Sequence, residues 1–162
     1  MYSFIQKPNG YNPEIWKSLI THNCYMYALN YTGDNPIVCP GEFSGFDFSE
    51  FDKTGYVPTS ELRKRIFCDC KKIGLDIREA TLYDETKEDE WKIALFEKWI
   101  PEEYDYDFHF LRQDSQNSWS GKFKGEMPSN LDYSNRPIIN PERAEFWSYK
   151  LVTFFIIKKG PN

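Results

Sequence analysis

The sequence predicts an α+β fold in which N-terminal helices pack on an antiparallel sheet. Three observations carry this. The strong helix-start signals fall in the first half of the chain. Apolar runs of strand length, one of them strictly alternating, fall in the second half. A four-residue turn, Asp114-Ser115-Gln116-Asn117, joins two of those runs as a hairpin.

The elements follow in order. Asn12-Pro13-Glu14 supplies a cap, a Pro for the first helical position and an acid for the first turn, so a helix is predicted through Ile15, Trp16, Leu19 and Ile20. Thr21-His22-Asn23 interrupts it, and a second short helix starts at Cys24 and ends near Gly33. Residues 34–58, rich in Pro, Gly, Asp and Phe, form a long loop. Thr59-Ser60-Glu61 opens the clearest helix, with Leu62, Ile66, Phe67 and Cys70 on one stripe and Gly74 as its stop. Leu75 to Ala80 is a strand, Asp84 to Glu90 a charged turn, and Trp91 to Trp99 a second strand. From Tyr104 to Asp114 the alternation sets Tyr104, Tyr106, Phe108 and Phe110 on one face, with Asp105, Asp107, His109, Leu111 and Gln113 on the other. Ser118 to Phe123 returns as the hairpin partner. Residues 124–145 make a polar, Pro-rich excursion, and Lys150 to Lys158 is a buried strand flanked by Lys.

The 162 residues predict a single domain, 1–162, large enough to bury a core without disulfides or a structural metal. Hydrophobic residues make up 40% of the chain and aromatics 18%, so Tyr, Phe and Trp must build much of that core. A net charge of -5 with no basic block argues against nucleic acid as a partner, because phosphate binding needs clustered Lys and Arg. No apolar run reaches the roughly 20 residues that span a bilayer, so no membrane partner is expected. The stretch Met1 to Lys7 lacks the charged start and apolar run of a signal peptide, which predicts a protein cytoplasmic at synthesis. Release, or delivery to a host, would then use another route. No Gly-rich phosphate loop occurs, and no cofactor is expected. His22, Cys24 and the Cys68/Cys70 pair miss the spacing of zinc sites, so no metal is expected either.

The chemistry concentrates on Cys24 and His109. A thiol at a helix start has its thiolate favoured by the helix dipole, an imidazole on a nearby strand can take the proton, and backbone N–H groups can hold an oxyanion. Cys24 begins a predicted helix and His109 lies on a polar strand face, so the pair predicts a cysteine hydrolase with Cys24 as nucleophile and His109 as general base. Cys24 is then expected to be the most reactive of the four thiols.

Asn23-Cys24-Tyr25-Met26-Tyr27-Ala28, followed by a later His strand, resembles the papain-like cysteine peptidase superfamily, nearest its NlpC/P60 and CHAP amidase branch. Phe108 to Lys122 also resembles a stretch of uncharacterised bacterial and viral proteins, in which a His strand is followed by Arg-Gln-Asp-Ser and a Trp-Ser pair. The likeness implies a papain-like fold and hydrolysis of an amide or isopeptide bond in a peptide, a protein or peptidoglycan. It also implies a third residue that orients the imidazole. Asp132 ranks first because a carboxylate best holds an imidazolium; Gln113 and the Ser118/Ser120 pair are the other candidates. A second reading keeps the scaffold without catalysis: a viral or bacterial interaction protein that binds a partner through the aromatic loop of Phe43, Phe46, Phe48 and Phe51. Oligomeric state is left open by the sequence.

Overall fold

A computed structural model describes residues 5–34, 38–51 and 56–161. The stretch read for a targeting signal and the long loop after Gly33 therefore lie partly outside the described residues. Five strands form one antiparallel sheet: β1 Leu75–Ala80, β2 Glu90–Ile100, β3 Asp105–Ser115, β4 Ser118–Gly121 and β5 Lys150–Lys159. Their spatial order is β1-β5-β2-β3-β4. Among the described residues two α-helices precede the sheet, α1 Cys24–Ala28 and α2 Thr59–Lys72. The α+β architecture thus matches the expectation from sequence.

Local departures have local causes. Pro13–Leu19 winds as a 3-10 helix, with Pro13 in its first turn but no side-chain bond from Asn12. The helix at Cys24 spans only five residues and stops well before Gly33, because Asn30 takes up a left-handed φ of 54°. The helix α2 ends as predicted: Gly74 adopts φ 82°, which costs a residue without a Cβ little.

Each face of the sheet carries its own core. Cross-strand pairs share a face, so the register assigns the sides. Leu95 opposite Phe110 and Trp91 opposite Ile157 belong to the helix side, where Tyr25, Met26, Leu62 and Ile66 pack on them. Phe96 opposite His109 and Ala94 opposite Leu111 belong to the other side, covered by Ile138 and Phe146 of the excursion before β5. At His109 and Leu111 the face of β3 that the sequence marks as polar is therefore interior, while Asp105, Asp107 and Gln113 on it stay partly exposed. One β5 residue is skipped between the pairs Leu95–Thr153 and Phe96–Leu151, a bulge that lets both faces stay in phase along β2.

Buried charge ties the layers together. The Arg112 side chain is 1% exposed, and its guanidinium lies 4.0 Å from the Tyr27 ring centre. It donates to the Tyr27 carbonyl at 3.3 Å, to Asn30 Oδ1 at 3.1 Å and to Asp114 at 3.3 Å. Tyr27 and Ser120 share a hydroxyl bond of 2.6 Å, so α1, β3 and β4 are joined at one point. On the helix side Asp69 accepts from Tyr25 Oη, the Gly41 and Ser44 amides and Ser44 Oγ, which folds the loop over α2. Lys92 donates to the carbonyls of Thr81, Leu82 and Asp84 and fixes the β1–β2 turn.

Replacing Arg112 by Leu is expected to destabilise the protein by about 3–5 kcal/mol, the scale for stranding a buried charge. Urea denaturation followed by circular dichroism reads this as a lower midpoint. Arg112→Lys should recover only part, since an ammonium cannot reproduce the planar stack and the fork of donors.

Candidate binding site

Asn23 caps α1 by accepting from the Met26 amide at 2.9 Å, which sets Cys24 at the first helical position as the sequence indicates. The thiol then packs into the helix-side core, 7% exposed, with Sγ 4.0 Å from the Phe108 carbonyl. Burial pushes the Cys24 thiol up to about 12, a bond from the Phe110 backbone working weakly against it. A five-residue helix supplies little dipole to oppose that cost. Cys70 is likewise buried and raised, whereas Cys39 and Cys68 are half-buried. The expected reactivity order is thus at odds with the burial of Cys24.

His109 points to the opposite side of β3 from Phe108 and Phe110. Its ring stacks on Phe123 at 4.3 Å and 6°, with Phe146 at 5.7 Å and Tyr149 at 6.0 Å. The residue is 1% exposed, and Nδ1 is a buried atom with no hydrogen-bond partner among the described residues. Desolvation lowers its pKa to about 3, so the imidazole is neutral over the physiological range. No hydrogen bond joins Cys24 to His109 among the described residues, and the two side chains belong to different cores.

The candidate orienting residues are occupied elsewhere. Asp132 accepts from the amides of Ser134, Arg136 and Glu145, and its carboxylate organises the excursion. Burial alone would raise its pKa, but these donors and Arg136 bring it below the ordinary carboxylate value. Gln113 lies four residues along β3 from His109, roughly 13 Å at strand spacing. Its amide reaches the Gln116 carbonyl at 3.4 Å, within the hairpin turn. Ser120 is engaged by Tyr27. His22 bonds the Gly33 carbonyl at 2.7 Å and packs edge-on against Trp16, a structural role. In the aromatic loop Phe43 and Phe48 pack against the core and Phe46 lies under Arg65 at 4.7 Å, so these rings are spent within the fold. The Phe51 side chain lies outside the described part.

A cavity of about 310 Å³ does open over His109. Its walls come from the excursion and the residues that flank it: Phe123, Tyr133, Phe146 and Trp147, with Leu111 and Ile138 also in the lining. Tyr133 meets Phe146 at 5.0 Å and Trp147 at 4.6 Å, both edge to face. Trp147 stands 75% exposed at the mouth in a left-handed conformation, φ 54°, with its amide held by Glu145 Oε1 at 3.0 Å. A large aromatic kept in a strained backbone and in water is a costly arrangement for packing alone. Gly121 closes the floor: a Cβ there would come within 2.8 Å of Leu111 and 3.0 Å of His109 Nε2. A wider groove of about 1270 Å³ runs along the β1–β2 and β3–β4 turns, but its Lys92 and Glu90 are already paired within the fold.

Asp132 and His109 therefore line one cavity, as two of the four residues singled out from sequence, while Cys24 and Gln113 do not join them. The walls were missed. Their signal was present as Phe123, Tyr133, Phe146 and Trp147, aromatics scattered through a stretch otherwise polar and rich in Pro. Among the described residues no three His, Cys, Asp or Glu side chains cluster to hold a metal, and no helix is long and apolar enough to cross a membrane. No protein-family model, curated protein or solved structure matches the chain.

Two measurements follow from this geometry. Brief iodoacetamide labelling of the folded protein, with peptide mapping, should modify Cys39 and Cys68 before Cys24 and Cys70. For His109 the folded pKa lies below the unfolded value of about 6.5. Between those values the unfolded chain binds a proton that the folded protein excludes. Stability should therefore fall as pH drops through 6.5 and keep falling toward about 3. His109→Gln removes this proton, so urea midpoints at pH 7 and pH 4 should differ less in the variant than in the wild type. Equal differences would show that the buried imidazole protonates freely.

Proposed function

We propose that this chain is a non-catalytic binding protein whose ligand enters the aromatic cavity over His109. One observation carries the reading: an inner imidazole lines a cavity walled by aromatic rings, and its Nδ1 lacks a partner. Buried polar atoms are nearly always satisfied, so a ring that lines a cavity and makes no hydrogen bond is where a polar group of a guest is looked for. Of the other polar groups near the cavity, Asp132 is committed to backbone amides and Tyr149 to Asp107, while Glu126 stands in the lining. The ligand would thus be held by ring faces and a few polar side chains rather than chemically transformed. A fragment screen by two-dimensional NMR tests this. Hits should shift resonances of His109, Phe123, Tyr133 and Trp147 together, and Trp147→Ala should weaken them without unfolding the protein. Hits that all map away from these residues would remove the proposal.

A cysteine hydrolase on a papain-like scaffold is the second reading. It is favoured by Cys24 at the start of α1, with Sγ beside the carbonyl of Phe108, the residue that precedes His109. It needs a thiol and an imidazole that meet, which would require His109 to leave its stack on Phe123. Chloroacetamide labelling across pH, read by intact mass, separates the two. A Cys24 adduct that forms near neutral pH and disappears in His109→Ala would support hydrolysis. Unchanged, slow Cys24 labelling in both proteins would support the binding role.

A further inference from the structure

We infer that the cavity is built for a small organic ammonium ion, one with an N–H bond and an apolar ring or chain. The inference rests on the binding reading above and assigns its ligand class. Three independent features converge. The first is charge. Glu126 and Asp132 are the charged side chains in the cavity lining, which contains neither Lys nor Arg. The nearby Lys122 turns its ammonium away, onto the carbonyls of Ile20, His22 and Phe123. Asp132 is already paired with Arg136 at 3.5 Å, so an anion would meet the Glu126 carboxylate in the lining.

The second feature is the wall. Phe123, Tyr133, Phe146 and Trp147 line the cavity and pack on one another, and the negative face of an aromatic ring attracts a cation at about 6 Å or less from its centre. The third is the floor. A neutral imidazole carries one N–H and one lone pair, and the lone pair can accept from an ammonium N–H. Among the described residues the His109 ring makes no hydrogen bond, and its Nε2 lies beside Gly121 of the cavity lining, so a bond to a guest there would replace nothing. The volume of about 310 Å³ lies at the small end of ligand sites, which suits a single ring and a short amine arm better than a peptide segment.

The test uses three compounds of one shape: phenethylamine, 2-phenylethanol and phenylacetate. Each is titrated into the full chain, with Trp147 fluorescence and imidazole ¹⁵N shifts of His109 as readouts. Phenethylamine should saturate both signals and bind roughly three- to fivefold more tightly than the alcohol, the scale of an exposed cation–π contribution. Phenylacetate should bind most weakly. Glu126 is exposed, so Glu126→Gln should fold normally, weaken the amine and leave the alcohol unchanged. If the alcohol or the acid equals the amine, or Glu126→Gln changes nothing, the cation assignment fails while the cavity remains a binding site. If none of the three saturates by about 10 mM, weaker than a millimolar site would be, both the ligand class and the binding reading are overturned. Amine shifts confined to the turns of the wider groove would overturn the assignment as well.

Discussion

The buried Arg112 guanidinium is the constraint around which the two layers are arranged. It sits on the β3 strand and reaches through to α1, where the Tyr27 ring, the Tyr27 carbonyl and Asn30 receive it. A five-residue helix has no stability of its own, since nucleation is costly and each turn gains few bonds. The Arg112 network, together with the burial of Tyr25, Met26 and Leu29, is what gives α1 a fixed position. That fixes Cys24 in turn. The same residue pairs with Asp114, so the hairpin leading to β4 is set by the charge that holds the helix. Burial raises the Asp114 carboxyl, and Arg112 beside it works to keep it ionised.

Most of the fold was legible because its signals are local. The strict alternation of Tyr104 to Asp114, the Gly74 stop and the Lys-flanked run before Lys158 each specify an element by themselves. The strand from Leu75 to Ala80 is observed with the bounds the sequence suggests. What was not legible depends on the third dimension. The face of β3 bearing Asp107, His109 and Leu111 has the composition of a solvated surface, yet Phe146 and Ile138 close over it. Nothing between residues 124 and 145 has a periodicity that announces a lid, because irregular chain covers a sheet without repeating. Conversely, the Phe-rich loop looked like an exposed patch, and Asp69 folds it inward through four donors contributed by distant positions.

The candidate site illustrates the same limit. Cys24 and His109 are the residue types that a thiol hydrolase needs, and their order along the chain fits. Side-chain direction is set by strand register, however, and Phe96 opposite His109 fixes the imidazole on the far side from α1. A shift of one residue in that register would exchange Phe108 or Phe110 for His109 under the helix and bring the two groups to one face. Sequence spacing cannot reveal that difference of a single step. His109 and Asp132 do share a cavity, though the contact that matters there is with the aromatic walls rather than with the carboxylate, which is spent on the Ser134, Arg136 and Glu145 amides.

The position of β5 has a consequence for how the chain acquires this structure. The last strand in sequence is not an edge: it lies between β1 and β2 and pairs with both. While the chain is being synthesised, β2, β3 and β4 can pair as successive hairpins, but β1 and the α2 helix packed on it have no strand to join until residues 150–159 leave the ribosome. Until then the outer edge of β2, with Ile93 and Leu95, is an open ladder beside uncovered apolar side chains. Closing this sheet therefore takes an insertion rather than an addition, and until it happens the β2 edge is open to pairing with another chain.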